Sequence, residues 1–88
     1  MKIFWSAAAW QDYLHWQETD PKIHGWINEL IRDIRRSPFK GLGKPEPLKF
    51  ELKGYWSRRI TQADRLVYRV SGKGSDRRLD IVQCRYHY

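Results

Sequence analysis

The sequence predicts an α+β fold: two N-terminal helices followed by an antiparallel sheet. Two helical patterns, separated by a capping signal at Asp20-Pro21, fill the first third. From about residue 48 the pattern changes to short β-rich runs between glycine turns. Eighty-eight residues are enough for one domain, spanning 1–88, to bury a core without staples. The lone cysteine, Cys84, allows no internal disulfide.

Lys2–Trp5 has the composition of a short strand. Met1 to Ala9 mimics a signal peptide, but its apolar run is short and leads straight into a helix. Ser6 is the expected N-cap of that helix, which runs to about Glu18 with Trp10, Tyr13, Leu14 and Gln17 on one side. Asp20 caps a second helix with Pro21 at its first position. Its residues Ile23, Ile27, Leu30, Ile31 and Ile34 form a stripe for burial. Ser37-Pro38 ends it. A loop with two glycines and two prolines then stiffens the chain around Glu46. Strands are expected at about 48–52, 55–61, 64–71 and 79–87, with turns at Gly54, Gln62-Ala63 and Gly72–Asp76. The last strand pattern reaches the final residue and would hold His87 rigidly.

Alternate strand residues face opposite ways. Leu66, Tyr68 and Val70 are expected in the core, as are Trp56, Ile60, Val82, Cys84 and Tyr86. Parity then leaves Arg59, Arg65 and His87 on the face away from the helices. Arg58 falls on the core side and is read as reaching out at an edge. Trp16 is expected to be the exposed tryptophan. His15 and His24 are read as surface or capping residues.

Net charge is +7, and it is segregated. Residues 1–34 carry three Lys/Arg against five acids, and residues 35–88 carry fourteen against five. A basic half on an acidic support points to a polyanion, RNA or DNA first. The three histidines and one cysteine have no metal-ligand spacing, so neither a metal nor another cofactor is expected. No run is long enough to span a membrane, and a cytoplasmic location is expected.

RNA carries its own nucleophile, the 2′-hydroxyl. Cleavage needs a base, an acid for the leaving 5′-oxygen and cations for the phosphorane. Glu46 suits the base, His87 the acid, and Arg59 with Arg65 the cations. Lys44 and Lys49 suit flanking phosphates, and Tyr86 or Tyr88 can stack on a base or orient the phosphate. A rival reading is a plain basic RNA-binding module that binds without cleaving.

Glu18-Thr-Asp20, Ile27-Asn-Glu-Leu-Ile31, Arg35-Arg-Ser-Pro-Phe39, Gly43-Lys-Pro-Glu-Pro-Leu48, Trp56-Ser-Arg-Arg-Ile60, Arg65-Leu-Val-Tyr68 and Cys84-Arg-Tyr-His-Tyr88 together resemble the YoeB toxins of the RelE/ParE superfamily. The resemblance implies a helix-backed, twisted, mainly antiparallel RelE-like sheet. It implies an mRNA endoribonuclease acting in the ribosomal A site, neutralised by a YefM-like antitoxin and often homodimeric. By motif, Glu46 matches the general base, His87 the general acid, Arg65 the phosphate stabiliser and Tyr88 the orienting aromatic. Lys49 and Arg59 match RNA-contacting positions. The rival reading that the resemblance brings is a non-catalytic toxin on the same fold, such as a ParE-like gyrase inhibitor. The turn at 71–78 is longer than the family's usual one.

Overall fold

The computed structural model describes residues 1–87. Its elements are β1 (Lys2–Trp5), α1 (Ala7–Thr19), α2 (Pro21–Arg36), β2 (Glu46–Pro47), β3 (Trp56–Arg59), β4 (Arg65–Ser71) and β5 (Arg78–Gln83). They form two helices and a five-stranded sheet of order β1-β5-β4-β3-β2. All pairings are antiparallel except that of β1 with β5. The α+β class and the mainly antiparallel sheet are as expected. Among the described residues no helix is long and apolar enough to cross a membrane.

The helices start where their caps dictate. The Ser6 hydroxyl accepts from the Ala9 amide, and the Asp20 carboxylate accepts from the amides of Lys22 and Ile23. The apolar stripe of α2 buries Ile27, Leu30, Ile31 and Ile34 against Leu66 and Tyr68 of β4 and Leu79 and Ile81 of β5. Each such side chain contributes roughly 1.5–3 kcal/mol on burial.

Four expectations are corrected. In place of a strand at 48–52 the chain has the two-residue edge strand β2 and a 3-10 turn, Phe50–Leu52. Phe50 at φ +56° turns the backbone out of the extended state there. Second, β5 ends at Gln83 and does not continue to 87. Its register shifts against β4: Tyr68 pairs with Ile81 but Val67 with Gln83, so Val82 is an extra residue. The bulge reverses side-chain parity. Leu79, Ile81 and Cys84 are buried, whereas Val82 is half-buried and Tyr86 exposed.

Third, Trp16 is buried, and Trp10 is the exposed tryptophan. The Trp16 indole donates to the Cys84 carbonyl at 2.7 Å, while the Cys84 amide donates to Asp12 at 3.1 Å. Helix α1 thereby grips the chain just past β5. Fourth, Arg58 does not reach out at an edge; it is fully buried. Its guanidinium pairs with Asp33 of α2 at 2.5 Å and donates to the carbonyls of Ser37, Lys40 and Leu42. It also donates to the Tyr68 hydroxyl, which in turn donates to the Pro38 carbonyl. A buried charge is tolerable only when paired and hydrogen-bonded, and here the loop after α2 supplies the acceptors.

Candidate active site

The network around Arg58 determines how the chain approaches Glu46. The loop from Ser37 to Leu42 wraps the guanidinium, and the Leu42 amide donates to Asp33. Gly43 follows at φ +77°, where an added Cβ would lie 2.8 Å from Leu30. Its carbonyl accepts from the Arg59 amide at 2.7 Å, tying the loop to β3. The chain then enters β2, placing Glu46 directly opposite Ser57.

Ser57 pairs with Val67, and Val67 with Gln83. Glu46, Ser57, Val67 and Gln83 therefore form one row across four strands. The helices cover the other face, as the burial of Arg58, Leu66 and Tyr68 shows. Ser57 and Val67 are only 2% and 1% exposed, so the middle of the row is a covered floor.

Two residues along, Arg59 lies directly opposite Arg65 on the same face. Like charges directly opposed across a ladder are destabilising, and an anion bound between them removes that penalty. Arg59 is exposed. Arg65 is half-buried, and its Nη1 donates to the carbonyls of Thr61, Asp64 and Gln62 at 2.8, 3.0 and 3.2 Å. The β3–β4 turn thus fixes the Arg65 guanidinium. Strand spacing places the Cα atoms of Glu46 and Arg65 about 12 Å apart, a gap that two long side chains and a phosphodiester can span.

The tail returns to the same place by a lock that sequence reasoning missed. The Tyr86 amide donates to the Asp64 carboxylate at 2.6 Å, and the Tyr86 carbonyl accepts from the Arg65 amide at 2.7 Å. Tyr86 sits at φ +62°, a left-handed turn three residues past the end of β5, and exposed His87 follows it directly. The basis for expecting His87 at the site changes accordingly: it follows an anchored turn, not a strand. Tyr88, expected as the orienting aromatic, lies outside the described residues.

Lys49 is exposed and caps the 3-10 turn. Together with Glu46, Pro47, Leu48, Phe50 and Leu52 it lines a depression of about 390 Å³. Lys44 is exposed at φ +51°, two residues before Glu46. The face thus joins Glu46, Arg59 and Arg65 with Lys49 close to Glu46, while Lys44 stands on the approach loop. Sequence reasoning missed Asp33 and Asp64 as supports. An acid immediately before a strand-opening arginine was the available signal for Asp64.

Comparison with known proteins agrees with this architecture. Residues 5–88 match the family model described as a YoeB-like toxin of bacterial type II toxin-antitoxin systems. Toxin YoeB of Escherichia coli (strain K12) is 60% identical over 88 residues, covering all of both chains. The YoeB/ParE toxin from Agrobacterium tumefaciens superposes with a TM-score of 0.95 at 57% identity, again over all of both chains. The Staphylococcus aureus YoeB is 44% identical over all of this chain and 98% of its own. It superposes with TM-scores of 0.89 as a dimer and 0.88 in a heterotetrameric complex with YefM. With a full-length match in sequence and fold, the chain belongs to the YoeB-like toxins of bacterial type II toxin–antitoxin systems.

Proposed function

We propose that this toxin is an endoribonuclease that cuts mRNA in the ribosomal A site through the RNA's own 2′-hydroxyl. The observation that carries this reading is the Arg59–Arg65 pair, opposed on the face that holds Glu46. Two opposed cations with a carboxylate nearby suit a phosphodiester whose neighbouring hydroxyl must lose a proton. Glu46 removes that proton, and the 2′-oxygen attacks the phosphorus. Arg65, held by the turn carbonyls, and exposed Arg59 offset the charge of the phosphorane. His87 protonates the 5′-oxygen as its bond to phosphorus breaks. The products are a 2′,3′-cyclic phosphate and a 5′-hydroxyl. Tyr88 orients the phosphate, and Lys44 and Lys49 hold flanking phosphates. The step needs neither a metal nor a protein nucleophile.

The ribosome supplies alignment, which can contribute several kcal/mol to such a step. Activity on free RNA is therefore expected to be small. The partners are mRNA, the ribosome and a YefM-like antitoxin, whose acidic segment folds onto the basic face. The S. aureus complex supports the antitoxin, and the S. aureus dimer supports self-association. Action on translating ribosomes implies a cytoplasmic location.

Primer extension on an mRNA in a purified translation system tests this reading. Stops within codons, produced only with ribosomes present, are expected. Growth arrest with intact mRNA and inhibited DNA supercoiling would instead identify a gyrase-directed toxin.

A further inference from the structure

Phe50 is 91% exposed, the most exposed large apolar side chain among the described residues. Its backbone is also left-handed, at φ +56°, an uncommon state for a bulky residue. The surroundings impose that state. The Leu52 amide donates to the Lys49 carbonyl at 3.2 Å and the Lys53 amide to the Phe50 carbonyl at 3.0 Å. The Leu48 amide donates to the Tyr55 carbonyl at 2.9 Å, closing the loop behind them. The chain thus holds a phenyl ring in water on a strained backbone. Strain of this kind is concentrated at sites that bind ligands.

The position of the ring suggests the ligand. Phe50 and Glu46 line the same depression, with Lys49 between them in sequence. Exposed Lys49 precedes the ring and exposed Glu51 and Lys53 follow, so charged side chains flank it on both sides in sequence. Pro47, Leu48 and Leu52 share the depression with charged Glu46 and Lys49, so the ring stands at the edge of a small mixed patch. One aromatic face beside a cation suits a single nucleotide, whose base stacks while its phosphate pairs with the lysine.

We propose that Phe50 is the stacking platform for an unpaired base flanking the cleaved linkage, with Lys49 holding that nucleotide's phosphate. This extends the ribonuclease reading by naming a subsite for it. The proton-transfer chemistry of Glu46 can fail without this subsite failing, and the reverse also holds.

The test uses the full chain and a set of short single-stranded RNAs, each with 2-aminopurine at one position and with its 2′-hydroxyls methylated, which prevents cleavage. Wild-type protein should change the fluorescence at one position. Phe50→Ala should remove that change and weaken binding roughly tenfold, and Phe50→Trp should retain both. Phe50→Gly should weaken binding as Phe50→Ala does while raising the thermal midpoint, because glycine relieves the left-handed strain. No fluorescence change with wild type, or equal affinity for Phe50→Ala, overturns the proposal. So does a loss confined to antitoxin binding, which would make Phe50 a protein contact. Glu46→Ala assayed in parallel for ribosomal mRNA cleavage separates the two readings. Lost cleavage with unaltered Phe50→Ala binding sinks only the subsite, and retained cleavage with weakened Phe50→Ala binding sinks only the proton-transfer roles.

Discussion

Single side chains divide here into those that face the proposed substrate and those that hold them in place. Glu46→Ala and His87→Ala should each lower ribosome-dependent cleavage by about 10²–10⁴-fold, since general acid–base groups typically contribute that much. Circular dichroism should be unchanged, because both residues are exposed. Wild-type rates for either variant would refute its role. Arg65→Ala should lose comparably, and Arg65→Lys should recover only part. A lysine offers a point charge, whereas the guanidinium can donate to the turn through one nitrogen and face a phosphate with the others. Cys84 belongs with the supports. Burial, and then the nearby Asp12 charge, push its thiol up to about 12. It should resist iodoacetamide in the native protein and react once the chain is unfolded in urea. Rapid native labelling would mean that the grip of α1 on Cys84 opens readily.

At the scale of elements, the segment from Ser37 to Lys44 depends on one buried ion pair. Arg58→Ala leaves Asp33 without its buried partner and five donated hydrogen bonds unmade. A loss of about 3–5 kcal/mol is expected in urea titration. Hydrogen bonds from Arg36, the Leu42 amide and Arg58 hold the Asp33 carboxyl down to about 2. A carboxyl lowered on folding stabilises the native state above its unfolded value, near 4, and that stability is lost as pH falls toward 2. The stabilities of wild type and Asp33→Asn should therefore differ above about pH 4, with the variant less stable, and converge as pH falls toward 2, because only wild type titrates there. Sequence patterns revealed the elements whose own residues define them. The stripe of α2, the caps at Ser6 and Asp20, and the core residues Leu66 and Tyr68 of β4 were legible because periodicity and capping act locally. Arg58 was not, because its acceptors are carbonyls of an aperiodic loop 16–21 residues away. The parity of β5 failed for a similar reason: a bulge at Val82 is a relation between two strands. Of the site, Glu46, Arg59 and Arg65 could be read from turn and parity signals, whereas the Asp64–Tyr86 lock could not.

Across the whole molecule the basic half of the chain supplies the sheet face and the approach loop. Each phosphate neutralised by these lysines and arginines should add roughly 0.7–0.9 to the slope of log K against log salt. Titrating binding to programmed ribosomes from low to moderate salt should give a steep line, flattened by about one contact in Arg59→Ala. A slope near zero would point to an apolar partner surface. The sheet order has a separate kinetic consequence. The first strand, β1, pairs only with the last, β5, which also lies inside the sheet against β4. Both sides of β5 therefore close contacts that include the most sequence-distant pairing in the fold. Topologies dominated by such contacts fold slowly, because chain entropy is lost before the contacts form. A chain emerging amino end first can complete α1 and α2 early, but β1 stays unpaired until residues 78–83 arrive. The α1 grip on Cys84 and the Tyr86 lock can close only after that, so the candidate site is among the last parts to assemble. A nascent chain therefore lacks the assembled Arg65–Tyr86 face until its last strand and tail have been synthesised.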